Sequence, residues 1–163
     1  LKYMDNGDCG IMYVNERSDI AWHFERHQMT EDNHIHIGTI NNSSTNCIWP
    51  DDHPMKYEDR HVHKIERDHS GQKQLVFCPV KAKKVHTNRL RQERDNGVMQ
   101  QLDIQSMRNI EQGKDNKDVL RKKQKLRDLP THSIWDKCVT HDDFKSVTLD
   151  HIINDLPLAR ATQ

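Results

Sequence analysis

The sequence has few large apolar side chains. Leu, Ile, Val and Phe together supply 34 of the 163 residues. This share lies just above the roughly 20% below which chains usually fail to bury enough apolar surface to fold. Strong helix formers are also scarce, since there are four Ala and seven Glu against 18 Asp and 11 Asn. Asp and Asn compete with the helical backbone for hydrogen bonds, so we expect many turns and caps and only marginal stability.

Cysteine and glycine are too sparse for the familiar catalytic and zinc motifs. The four cysteines, Cys9, Cys47, Cys78 and Cys138, form no C-x-x-C pair, which excludes the usual zinc-ribbon and redox patterns and favours reduced thiols. With six glycines the chain contains no P-loop, no G-x-G-x-x-G turn and no G-x-S-x-G elbow. The sequence therefore does not predict an enzyme.

Long apolar runs are absent. No stretch approaches the roughly 20 apolar residues that a membrane span requires, and the first residues lack the apolar core of a signal peptide. We therefore expect a soluble, intracellular protein without a membrane partner.

Charge is balanced overall but unevenly placed. Lys plus Arg and Asp plus Glu each number 25. Residues 81–127 nevertheless contain 14 basic and 6 acidic side chains, whereas residues 1–80 contain 8 and 13. The middle of the chain is thus a basic zone between two acidic ones.

Apolar patterning predicts an α+β fold, with short strands in residues 1–80 and helices in residues 81–163. Short apolar or alternating runs at 11–14, 35–37 and 75–78 are typical of strands, and Pro79 limits the last one to a sheet edge or a strand end. We expect one domain over residues 1–163. The polar stretch 41–54, which contains two prolines, is the best candidate for a loop or boundary.

Three helical segments are predicted after residue 80. Val119, Leu120, Leu126 and Leu129 cluster on one side of a helical wheel, and Pro130 ends that segment. Residues 98–112 form a second helix through Met99, Leu102 and Ile110. The order Thr140-His-Asp-Asp143 is typical of a capping box, and Phe144, Val147 and Ile152 supply the buried side of the helix that it opens.

Clustered histidines suggest binding of zinc or another divalent late transition metal. On a strand, His61 and His63 project to the same face, and Glu66 or His69 from the following turn completes the set of ligands. This H-x-H-x-x-E order resembles the metal motif of the cupin family, with one residue fewer before the glutamate. Random order of twelve histidines also produces about one such H-x-H pair, so solvated histidines with adventitious metal affinity remain an alternative.

The basic zone, residues 81–127, supports a second hypothesis, binding of the nucleic-acid phosphate backbone. Lysine and arginine side chains that neutralise phosphates release counterions and give salt-sensitive binding. A solvated helix face is the alternative interpretation. The residues that we predict to contact phosphates are Lys81, Lys83, Lys84, Arg121, Lys122, Lys123 and Lys125.

A third interpretation concerns the residue order itself. In foldable sequences, local propensity and apolar pattern usually agree. Here they disagree, because helix caps lack matching apolar stripes and apolar runs stop after four residues. The chain then has no evolved function and is a scrambled, random or heavily mutated sequence.

Overall fold

The computed structural model describes residues 2–4, 9–10, 34–37 and 53–159. Its fold is α+β: within these ranges every strand precedes residue 80 and every α-helix begins at residue 79 or later, as the patterning predicted. The predicted strand at 11–14 and most of the predicted loop at 41–54 lie outside the described residues. The chain divides into two compact units, Leu1–Lys81 and Ala82–Gln163.

The first unit contains a small antiparallel sheet of three short strands, β1 (Lys2–Met4), β2 (Cys9–Gly10) and β3 (His34–His36). β1 is central, with Tyr3 opposite Cys9 on one side and opposite Ile35 on the other. The strand predicted at 35–37 is therefore present and begins one residue earlier.

A hairpin follows in the described part of the first unit. A 3₁₀ turn over Tyr57–Val62 leads into β4 (His63–Arg67), which pairs with β5 (Lys73–Phe77) so that Ile65 lies opposite Leu75. One carboxylate oxygen of Asp68 organises the turn, accepting from the amides of Ser70 and Gln72 at 2.9 Å each. Hydrogen bonds from Ser70 and Gln72 lower the pKa of this carboxyl.

Proline marks the change from strand to helix. β5 ends at Phe77, and α1 begins at Pro79 and continues to Glu93. Proline suits the first helical position because its fixed φ is helical and its missing N–H would have no intrahelical partner there. Pro79 thus ends the strand, as predicted, and also opens a helix that the patterning did not identify.

Four further α-helices complete the described part of the second unit. A π-helical turn (Arg94–Val98) connects α1 to α2 (Met99–Glu111), and α3 spans Lys117–Arg127. After 3₁₀ turns at Leu129–Thr131 and Ser133–Lys137 come α4 (His141–Ser146) and α5 (Leu149–Asn154), each opened by a capping box. The predicted box at Thr140 is therefore confirmed, and a second one at Thr148 divides the single helix expected there into two.

The core of the second unit is drawn from all of these helices. The Trp135 and Phe144 rings stack with centroids 6.1 Å apart. The largest side chains with less than 2% exposure are Phe144, Leu90, Leu126, Leu129, Ile152 and Val147.

Two predicted core residues lie at the surface instead. Leu120 is 52% exposed because it lies about 100° around α3 from the buried Val119. Ile110 is 69% exposed because it lies in the last turn of α2, beyond the buried Leu102 and Ser106. In the described residues, no helix is both long enough and apolar enough to cross a bilayer.

Candidate functional site

The structure places the four predicted metal ligands in three successive segments of the first unit. His61 is exposed in the 3₁₀ turn, and His63 is the first residue of β4. The premise that both lie on one strand is therefore wrong, because the 3₁₀ turn continues through Val62. Glu66 is exposed on β4 beside Lys64, with which it forms an ion pair, and His69 is exposed in the turn of the hairpin.

Within residues 2–4, 9–10, 34–37 and 53–159, no three His, Cys, Asp or Glu side chains come together as a group that could hold a metal ion. The ring nitrogen Nδ1 of His63 lies 2.8 Å from the carbonyl oxygen of Asp59. Metal binding by His61, His63, Glu66 and His69 together stays a prediction.

Two other histidines do converge, in the second unit. The Nε2 atoms of His86 on α1 and His141 at the start of α4 are 3.2 Å apart, with ring centroids separated by 5.3 Å. His86 is 6% exposed, and His141 is half-buried. The pair therefore reaches from the interior of this unit to its surface.

Local structure explains the position of each ring. Ala82, His86 and Leu90 follow one another at intervals of four residues, which places them on one face of α1, and all three are buried. His141 follows the N-cap residue Thr140, whose hydroxyl oxygen accepts from the amide of Asp143. The capping box thus holds the first turn of α4 and with it the His141 ring.

Aromatic packing supports the buried ring. His86 stacks on Phe144 with a centroid separation of 6.3 Å and an interplanar angle of 24°. Phe144 in turn stacks on Trp135. Three rings in succession therefore hold His86 against the core of the unit.

The pair can share a proton or bind a cation. A neutral imidazole has one N–H donor and one acceptor nitrogen, so a contact between two Nε2 atoms requires one ring to donate and the other to accept. Tetrahedral zinc with Zn–N bonds of about 2.0–2.1 Å sets two ligand nitrogens about 3.3–3.4 Å apart. The observed separation of 3.2 Å lies close to that value.

Other groups in this part of the second unit have structural roles. The amides of Val139 and Thr140, which precede α4, both donate to one carboxylate oxygen of Asp143, at 2.9 and 2.8 Å. Burial, with a smaller contribution from Asp143, raises the pKa of the Cys138 thiol to about 11. Cys138 is therefore a neutral thiol near pH 7, and both Cys78 and Cys138 are free of disulfides.

Some basic side chains of the basic zone form ion pairs within the chain. Arg121 and Lys122 both pair with Asp118, at 3.1 and 2.8 Å. Lys123 pairs with Asp103, and Lys125 pairs with Asp155. Four of the seven predicted phosphate contacts thus already have a carboxylate partner.

The remaining three predicted contacts lie on α1. The ammonium of Lys81 donates to the carbonyl oxygen of His63 at 2.8 Å. Lys83 and Lys84 make no ion pair within the part of the chain that the structure describes. Phosphate binding by the basic zone stays a prediction.

No family model matches this chain, and neither a curated protein nor a solved structure matches it. Sequence reasoning missed the His86–His141 pair. Ala82, His86 and Leu90 recur every four residues, and this helical spacing could have predicted that His86 is buried. Nothing local to His86 pointed to its partner, which lies 55 residues further along the chain.

Proposed function

We propose that this protein binds a divalent late transition metal ion, such as Zn²⁺, through the Nε2 atoms of His86 and His141. The observation that carries the proposal is the 3.2 Å separation of these two atoms, which is close to the edge of a tetrahedral zinc site. The proposal keeps the class of function that the clustered histidines suggested and assigns it to a different pair.

Imidazole nitrogen is a ligand that suits zinc, copper and nickel. Two protein ligands leave two positions of a tetrahedral ion for water or for a ligand from outside the protein. The half-buried position of His141 gives the ion a route from solvent to the buried His86.

Metal binding changes the protonation of the pair. Both Nε2 atoms must present lone pairs to the ion, so the ring that donated in the metal-free pair carries its hydrogen on Nδ1 instead. Protons compete with the ion for the same nitrogens, so we expect the affinity to fall as the pH is lowered.

Calorimetric titration of the full chain with Zn²⁺ at pH 7.5 tests the assignment. We expect one equivalent to bind and His141→Gln to abolish that binding. His141 is the residue to replace because it is half-buried, whereas His86 lies in the core. The matched control is the double variant His61→Gln/His69→Gln, which removes two exposed histidines of the first unit and is expected to bind zinc normally.

Stability provides an independent readout. Because the ion binds only the folded pair, zinc at 100 times its dissociation constant stabilises the fold by about 2.7 kcal/mol. Circular dichroism melts with and without zinc should show this shift in the unaltered chain and in the control, but not in His141→Gln. If the control lost zinc binding and His141→Gln retained it, the proposal would be refuted, and the predicted site that includes His61 and His69 would be favoured instead.

A further inference from the structure

The turn that joins α1 to α2, Arg94–Val98, contains an asparagine that is followed by a glycine, Asn96-Gly97. This turn has no role in the proposed metal site. The sequence contains one other such pair, Asn6-Gly7, which lies outside the described residues. Asn96 is exposed, so solvent reaches its carboxamide.

Asn96 differs from the other described asparagines in the freedom of its side chain. Within the ranges that the structure describes, its carboxamide makes no hydrogen bond, whereas the other asparagine side chains all do. The asparagines with hydrogen-bonded side chains are Asn88, Asn109, Asn116 and Asn154. The carboxamide of Asn96 is therefore free to rotate toward the backbone.

The backbone of this turn is irregular. Gly97 departs from helical geometry, with φ 167° and ψ −38°, and no residue of the turn is buried. Segments with few buried contacts open locally at a low cost in free energy. The Asn96-Gly97 peptide can therefore reach geometries that the interior of a helix forbids.

We propose that Asn96 is a site of spontaneous deamidation through a cyclic imide. Hydroxide removes the proton from the backbone nitrogen of Gly97, and this nitrogen attacks the Cγ atom of Asn96. The side-chain nitrogen takes a proton from water and leaves as ammonia. Water then opens the imide at either carbonyl and yields aspartate or isoaspartate, so that one water molecule is consumed and one ammonia is released. Glycine favours the attack because it has no side chain to hinder its own nitrogen.

Both products change the connection between α1 and α2. Each adds a carboxylate next to Asp95, which already accepts from Nε of Arg94 at 2.7 Å. The same guanidinium donates to the carbonyl oxygen of Leu126 at 3.1 Å, so the turn lies against the end of α3. Isoaspartate also lengthens the backbone by one carbon, because the chain then runs through the former side chain of Asn96.

The test incubates the full chain in mildly alkaline buffer and follows its tryptic peptides by mass spectrometry. Trypsin releases residues 95–108 as one peptide, in which Asn96 is the single asparagine. We expect this peptide to convert to its aspartate and isoaspartate forms, which electron-transfer fragmentation distinguishes, and to convert faster as the pH is raised. The hydrogen-bonded asparagines should remain amides over the same period.

Gly97→Ala is the matched variant. A Cβ atom added at Gly97 meets nothing within 4 Å, so the variant should fold. Its methyl group hinders attack by the backbone nitrogen, and we expect most of the conversion at Asn96 to be lost. Equal conversion in Gly97→Ala, or conversion at Asn96 no faster than at Asn88 in the unaltered chain, would overturn the proposal.

Discussion

The indole Nε1 of Trp135 donates a 2.8 Å hydrogen bond to the carbonyl oxygen of Leu129, inside the core of the second unit. Trp135 is 3% exposed, and Leu129 is completely buried. This bond joins the two 3₁₀ turns that follow α3. The Trp135 side chain therefore helps to fix the irregular segment between α3 and α4.

Replacement of Trp135 should show how much of this stability comes from packing. Trp135→Ala removes the stack on Phe144 and should lower the free energy of unfolding by about 3–5 kcal/mol. Trp135→Phe keeps a ring and loses the hydrogen bond, and we expect a smaller loss of about 1–3 kcal/mol. Urea melts followed by far-UV circular dichroism measure both values, and an equal loss in the two variants would contradict this account.

The capping box of α4 gives a second prediction. Thr140→Ala removes the hydroxyl that accepts from the Asp143 amide and should destabilise the fold by about 1 kcal/mol. Thr140→Ser keeps a hydroxyl at the N-cap and serves as the matched control. If the serine variant lost as much stability as the alanine variant, the cap would not be the cause.

The lowered pKa of Asp155 predicts that the stability of the fold depends on pH in the acid range. Hydrogen bonds from Lys125 first and His132 second hold the pKa of this carboxyl below its ordinary value of 3.8. A carboxyl whose pKa is lower in the folded state stabilises the fold above its unfolded pKa, and this stabilisation disappears as the pH falls through the folded value. Below about pH 4 we therefore expect stability to fall.

Asp155→Asn tests that dependence. Asp155 has φ 51° and ψ 37°, a left-handed conformation that asparagine tolerates well. The variant should be less stable at pH 7 and should lose less stability between pH 5 and pH 3 than the unaltered chain. Asp136→Asn, at an exposed site, is the control and should leave the acid profile unchanged.

The Cys138 thiol should react slowly. Burial raises its pKa from 9.0 to about 11, which lowers the thiolate fraction near pH 8 by about a hundredfold. A more basic thiolate is also more nucleophilic, and this offsets about tenfold of the loss in rate. We expect iodoacetamide to alkylate Cys138 at least tenfold more slowly in the folded chain than in guanidinium chloride. Peptide mass spectrometry resolves each cysteine, and equal rates in both solvents would show that burial does not protect it.

Sequence reasoning was most accurate where the signal lies within a few residues. The helix that ends before Pro130, the capping box at Thr140 and the end of β5 before Pro79 were all predicted correctly, because caps, prolines and apolar periodicity act locally. Leu120 and Ile110 were misplaced because a helical wheel shows which residues share a face but not how far the neighbouring elements cover it.

The sequence by itself indicated that strands precede helices and located a few element boundaries, at Pro79, Pro130 and Thr140. Only the tertiary structure decided which histidines meet. His61 and His63 are close in sequence but lie on two different elements, whereas His86 and His141 are far apart in sequence and come into contact. The physical reason is that start and stop signals are interactions along the chain, whereas a pair of ring nitrogens 3.2 Å apart depends on how separate elements pack.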